Sequence, residues 1–148
     1  MTGDDVVRTA RTWLGTPHVN GAKVKGIGVD CGQLLIGVAE DCGAVQRGKV
    51  TPAPYSNAWH LHRSTPFFEE LVKAYCDSVD GQPQPGDYLV YQYGRCVSHG
   101  AIYMGNNMVL HAYINQGVIL SAYNDVMFYD ARGRFRLRGI YRLKELSK

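Results

Sequence analysis

No stretch of this sequence approaches the roughly 20 consecutive apolar residues that a membrane-spanning helix needs. Its opening residues, Met1-Thr-Gly-Asp-Asp, are acidic and lack both the basic start and the apolar run of a secretory leader. The expectation is synthesis in the cytosol, with no route of its own across a membrane and no membrane partner. No two of the four cysteines, Cys31, Cys42, Cys76 and Cys96, sit at C-x-x-C spacing, which argues against a structural zinc site. A chain without a leader that is long enough to bury its own core is expected to keep its thiols reduced. A strong excess of one charge is missing too. The formal net charge of +3 is too small to indicate a nucleic-acid-binding module. There is no internal repeat and no low-complexity linker.

What is present fits one globular domain covering residues 1–148, with 45% hydrophobic and 20% charged residues. Seventeen glycines and ten tyrosines point to short strands and tight turns beside some helix. Apolar residues Val6, Val7, Ala10, Trp13 and Leu14 recur at helical spacing and predict a first helix over 4–14, capped from Thr2 to Asp5 and stopped by Gly15-Thr16-Pro17. Asp30 opens a second helix running to about Asp41, with Leu34, Leu35, Val38 and Ala39 as its apolar positions and Gly43 placed for a left-handed cap. A third helix is expected over 66–78, with Pro66 in its first turn and Phe68, Leu71, Val72 and Tyr75 as its buried stripe. Strand-like runs follow at 88–93, 99–104, 108–113, 118–123 and 135–143, joined by short turns. A helical first half followed by a stranded second half is the pattern of an α+β domain with an antiparallel meander.

Cys31 falls at the start of the second helix. Unpaired amides and partial positive charge at a helix N-terminus stabilise a thiolate, and the same amides can receive the oxyanion formed when sulfur attacks a carbonyl. Cys42 and Cys76, within helices, read as inert buried residues. His99 begins an apolar strand, where an imidazole can face a helix N-terminus packed on the sheet and exchange a proton with the thiol. His111 lies on the next strand, equally far from about residue 105. The two histidines are expected to be cross-strand neighbours, the second orienting the first. Arg132, Arg134, Arg136 and Arg138 alternate, which predicts a charged strand face, either simply solvated or a docking surface for an anionic polymer or partner.

Three blocks resemble the NlpC/P60 family of papain-like cysteine peptidases. Trp13-Leu-Gly-Thr-Pro-His18 followed by Gly28-Val-Asp-Cys31 resembles the family's G-T-P-Y segment and its D-C-S-G nucleophile motif. Pro85-Gly-Asp-Tyr-Leu-Val90 resembles its P-G-D-L strand, and Ser98-His-Gly-Ala-Ile-Tyr-Met-Gly105 with Leu110-His-Ala112 resembles its S-H-V-G-I-Y-x-G and I-H-A blocks. The resemblance implies a papain-like α+β fold, N-terminal helices packed on a central antiparallel sheet of five to six strands. It implies Cys31 as nucleophile, His99 as base, His111 as orienting residue, and hydrolysis of amide bonds in bacterial cell-wall peptides, often beside D-γ-glutamyl or diaminopimelate units. It implies no metal and no organic cofactor. The segment Ala22-Lys-Val-Lys-Gly-Ile-Gly-Val29 resembles the phage-associated branch, which implies tail proteins as partners and delivery with a virion.

The match departs from the family at three positions. The family's Tyr after T-P is His18 here, still a hydrogen-bond donor toward the oxyanion. Ser-Gly after the nucleophile is Gly32-Gln33. Asp30, which in the family helps hold a free peptide amine, is retained. Asp30, Gly32 and His18 are therefore the expected oxyanion and substrate-binding residues. Two other readings stay open: a non-hydrolytic assembly module on the same fold, and an amidase, thioesterase or acyl transferase acting on another substrate. Tyr55, Trp59, His60 and His62 occupy the loop expected to line the cleft, or else pack as ordinary surface and core.

Overall fold

A computed structural model describes residues 1–50, 71–94 and 96–146. Helix α1 (Gly3–Arg11) starts on a capping box, in which Thr2 accepts from the Asp5 amide while the Asp5 side chain accepts from the Thr2 amide. It ends at Arg11, earlier than the pattern predicts, because residues 12–15 turn away; Trp13 still reaches the core, whereas Leu14 is exposed. A two-stranded hairpin, β1 (Lys23–Val24) and β2 (Gly28–Val29), leads into helix α2 (Cys31–Asp41). Gly43 adopts the expected left-handed backbone, φ +83°.

Helix α2 is enclosed further round than a single apolar stripe would require: every residue from Gly32 to Glu40 is buried. On one side lie Val6, Ala10 and Trp13, and on another Ile102, Met104, Leu110 and Ala112 of the sheet. Its C-terminal end is clamped by charge. Lys23 Nζ lies 2.7 Å from Glu40 Oε1, an ion pair off ideal hydrogen-bonding geometry, and Gly48 N donates to Glu40 Oε2. Lys25 and the Trp13 indole N–H both reach Asp41 Oδ2, each at 3.0 Å. These contacts fix the 22–29 hairpin against the helix that carries Cys31.

The predicted third helix is only partly present. Residues 71–75 are helical, but Cys76–Ser78 forms strand β3 and pairs with the last strand of the chain. Cys76 is thus a buried strand residue rather than a helical one; once a sheet edge was available, Cys76 could bury its side chain while its backbone joined a ladder. Residues 66–70 lie outside the described residues, as do Tyr55, Trp59, His60 and His62. Strands β4 (Tyr88–Tyr93), β5 (Cys96–Gly105), β6 (Met108–Tyr113) and β7 (Gly117–Ala122) form the expected meander. Strand β8 (Leu137–Leu143) crosses back to pair with β3 and β4, giving an antiparallel sheet of six strands in the order β3-β8-β4-β5-β6-β7. Asp87, fully buried, holds the turn before β4 to β8 through a two-pronged pair with Arg142 at 2.8 and 3.0 Å.

The start of the β7 edge, at Val118, is covered by the segment that follows α1. Gly15 N donates to Val118 O, and Val118 N donates to Thr16 O at 2.9 Å. Gly117 allows this approach: its φ is +79°, and an added Cβ would lie 2.6 Å from Thr16 O. The arginine run does not form one strand face. Asp130 accepts from the amides of Arg132 and Arg134 and pairs with the Arg134 side chain, so 130–134 folds as a turn, and the strand begins only at Leu137.

Packing between α1 and α2 is close enough to reverse a helix preference. An exposed helical Gly→Ala change gains about 1 kcal/mol. A Cβ at Gly37 would lie 2.6 Å from the Trp13 ring, and overpacking of this kind costs roughly 1–3 kcal/mol. Gly37→Ala is therefore expected to lower stability in denaturant unfolding; an equal or raised midpoint would contradict the tight contact.

Candidate active site

The helix start is fixed before any chemistry is considered. Asp30 caps α2: Oδ1 accepts from Gln33 N at 2.8 Å, and Oδ2 accepts from Gly21 N at 2.7 Å. The carboxylate is buried, and both oxygens serve the fold. Cys31 follows as the first helical residue, half-buried.

The sulfur meets strand β5 where that strand is irregular. Tyr91 pairs with His99 and Gln92 with Val97, so Ser98 is an extra residue on β5. A bulge residue leaves ladder groups unpaired, and the Cys31 thiol donates to the Ser98 carbonyl at 3.5 Å. The amide of Gly100, on the other side of His99, also points at the sulfur, as do those of Gly32 and Cys31 itself. The β5–β6 ladder runs from Ile102↔Leu110 toward the turn, so this stretch of β5 precedes its paired part. The nucleophile candidate and the residue before His99 are thus in direct contact.

His99 and His111 are linked by a 2.8 Å contact between Nε2 of the first and Nδ1 of the second. They are diagonal neighbours rather than directly opposite. The turn is centred on Asn106 and Asn107, both with positive φ, and not on residue 105. A two-residue turn alone would put the two histidines on opposite faces. The register Tyr103↔Val109 followed by Gly105↔Met108 leaves one extra residue in β5, which returns them to the same face. That face carries Leu89, Tyr91, Ala101, Val109 and Phe128, away from α2. Ring contacts from Tyr91, Tyr93 and Tyr113 surround His99, and Phe128 packs against His111.

The chain of contacts continues to a residue that the sequence reading did not single out. His111 Nε2 lies 2.8 Å from the buried Ser121 Oγ on β7. Two proton arrangements are possible along Ser121–His111–His99. If Ser121 donates, His111 donates from Nδ1 to His99 Nε2, and the proton of neutral His99 rests on Nδ1. If Ser121 accepts, His99 donates from Nε2 and its Nδ1 keeps a free lone pair. Because Nε2 is taken by His111, Nδ1 is the nitrogen left to act as a base. Only the arrangement with Ser121 accepting leaves it free. Spacing could not have revealed Ser121, since a lone serine ten residues after His111 carries no periodic signal; the β6–β7 register is what brings it there.

Burial dominates the electrostatics. Desolvation, then the nearby Asp30 carboxylate, pushes the Cys31 thiol up to about 12 despite the three amides that favour the anion. Helix-start charge alone would have lowered it, and burial outweighs that effect. Desolvation, followed by His111 and His18, holds His99 well below the ordinary imidazole value. Desolvation brings His111 down to about 4. The resting site is a neutral thiol beside neutral imidazoles. His18 lies half-buried in a bridge with Val29, two residues before Cys31, and Gly32 is buried behind the sulfur. Among the described residues, no group of three or more His, Cys, Asp or Glu gathers as a metal would require.

The model of the NlpC/P60 family matches residues 15–136. No curated protein sequence matches the chain. Among solved structures, NlpC1 from Trichomonas vaginalis aligns with 95% of this chain and 44% of its own, at TM-score 0.64 and 17% identity. The chain therefore spans less than half of that protein. The NlpC/P60 domain of the peptidoglycan hydrolase SagA aligns over 97% of this chain and 100% of its own, at TM-score 0.61 and 19% identity. RipD from Mycobacterium tuberculosis, described as a non-catalytic NlpC/P60 domain protein adapted to peptidoglycan binding, aligns over 95% of each chain at TM-score 0.54 and 16% identity. At these identities the structures share the fold: α+β, with a six-stranded antiparallel sheet and a few helices.

Two outcomes follow from the imidazole chain. Ser121→Ala should lower kcat about tenfold, one hydrogen bond's worth, with KM kept and the acid limb of the pH profile moved; an unchanged profile would remove Ser121 from the relay. Second, a depressed histidine destabilises as pH falls, because the unfolded chain takes up a proton that the folded site refuses. For His111 the interval from 6.5 down to about 4 corresponds to on the order of 3 kcal/mol. Denaturant midpoints should fall across that pH window, and less steeply in His111→Gln. A flat midpoint would contradict neutral burial.

Proposed function

The chain belongs to the NlpC/P60 family, in general cell-wall peptidoglycan hydrolases with some non-catalytic members, and we propose that it is a cysteine peptidase or amidase cleaving amide bonds in peptidoglycan peptides. The observation that carries this reading is the Cys31 thiol seated on the Ser98 carbonyl, beside a histidine whose second nitrogen is committed to His111 and Ser121.

In the proposed cycle the Cys31 proton passes to His99 Nδ1 as sulfur attacks the scissile carbonyl carbon. The oxyanion is received by the amide end of α2, at Cys31 and Gly32, with His18 as a further donor. His99 returns the proton to the leaving amine, and the C–N bond breaks to leave a thioester. Water, deprotonated by His99, then attacks the thioester and regenerates the thiol. A neutral imidazole is the form this first step needs, and burial keeps it neutral. The thiolate forms only with proton transfer, since desolvation disfavours it at rest. Asp30 is proposed to contribute to substrate binding chiefly by holding the helix start in place.

A second reading is favoured by the raised thiol, by the Gly32-Gln33 replacement and by the fold shared with RipD: a peptidoglycan-binding module that does not hydrolyse. Digestion of purified muropeptides, followed by mass spectrometry, separates the two. Wild type should release fragments. Cys31→Ala should release none, and His99→Ala should lose about 10²–10⁴-fold in kcat/KM. Binding without release by wild type would select the second reading. Synthesis in the cytosol and delivery on a phage tail belong to the proposal as well, supported by the resemblance of residues 22–29; cofractionation with tail proteins tests them.

A further inference from the structure

Four arginines among the described residues are neutralised by carboxylates. Arg8 pairs with Asp5, Arg47 with Asp41, Arg134 with Asp130 and Arg142 with Asp87. Arg136 is different. Its Nε donates to the Tyr129 carbonyl at 3.3 Å and its Nη1 to the Gln92 carbonyl at 3.4 Å, both neutral acceptors. Its guanidinium carbon lies 4.3 Å from the centroid of the Tyr93 ring. Among the described residues no carboxylate lies within ion-pair distance of it. Asp125, the acidic group near Tyr93, spends Oδ1 on the amide of Met127. Arg138, also without a carboxylate partner among the described residues, donates to the Gln92 side chain, so two guanidinium groups beside β4 lack an ion pair there, the Asp125 charge acting on Tyr93 and His111 instead.

The position matters as much as the charge. Tyr93 is fixed by its hydroxyl, which donates to Met127 O at 2.7 Å, and its ring meets that of His99 edge-on at 5.8 Å between centroids. Arg136 is therefore one aromatic ring away from the imidazole. Stacking on Tyr93 and two carbonyl contacts hold the guanidinium plane still, and among the described residues three of its five N–H donors have no partner. A planar donor fork held in place suits a carboxylate, because little side-chain freedom is lost when it binds.

We propose that Arg136, seated on Tyr93, reads a carboxylate of the substrate close to the scissile amide. The site selects peptides carrying a free acid there over their amidated counterparts. This rests on the peptidoglycan-peptide reading above and names the substrate feature that reading leaves open.

The test measures binding apart from turnover. Cys31→Ala protein is titrated in a calorimeter with L-Ala-γ-D-Glu-meso-diaminopimelate, and with the same peptide in which the D-glutamyl α-carboxylate is a carboxamide. The acid should bind at least about tenfold more tightly, the scale of one charge-assisted pair. Adding Arg136→Gln should bring the ratio close to one. Arg136→Lys, a charge without a fork, should give an intermediate ratio and guards against a misfolded glutamine variant. Equal affinities in the Cys31→Ala protein, a ratio unmoved by Arg136→Gln, or no binding of the acid peptide at millimolar concentration would each overturn the assignment. A clear acid preference in binding, with no fragment release by the intact thiol, would uphold Arg136 while the hydrolytic reading fails.

Discussion

Two extra residues in one strand set the geometry on which the site depends. In β5 the bulge near Met104 restores His99 and His111 to one face, and the bulge at Ser98 frees the carbonyl that takes the Cys31 thiol. A regular β5 would pair that carbonyl with a neighbouring strand and would send one imidazole to the helix side. Helix α2 approaches from one face of the sheet, while the imidazoles stand on the other among Tyr91, Tyr93, Tyr113 and Phe128. The sulfur therefore reaches the strand backbone at Ser98, next to the residue that carries the imidazole. Bulges that re-aim side chains beside reactive groups are a recurrent use of a single added residue.

The elements legible in the sequence were those with strong local signals. Asp30 before an apolar run marked the start of α2 correctly, because capping is decided by neighbours in the chain. The meander from β4 to β7 was legible for a similar reason, its turns being short and rich in Asn and Gly. What escaped depended on distant partners. Cys76–Ser78 became a strand only because β8 crosses the sheet to meet it, and the arginine run became a turn because Asp130 gathered its amides. Symmetry about residue 105 puts the histidines on one face but omits the bulge; the turn at 106–107 and the extra residue in β5 offset each other and preserve the parity. Ser121 was invisible because its role comes from register across a second hairpin.

The balance between helix charge and burial also lay beyond sequence. Three amides address the sulfur, yet enclosure by protein and the Asp30 carboxylate outweigh them. A partial charge at a helix end acts strongly only when nothing else competes. The same enclosure keeps both histidines neutral. The site is thus a set of uncharged partners whose proton positions are fixed by hydrogen-bond direction rather than by fields. This makes the far end of the relay, at Ser121, as consequential as the near end.

The backbone stitch of Gly15 and Thr16 onto Val118 has an effect on how this molecule meets others. An exposed terminal strand is a template on which foreign chains can crystallise into fibres or exchange segments. Here one margin of the sheet is occupied at its Val118 end by residues 15–16, and the other is only the three residues of β3. Among the described residues, a neighbouring chain meets a β7 edge whose first residues are already taken and a β3 edge of three residues.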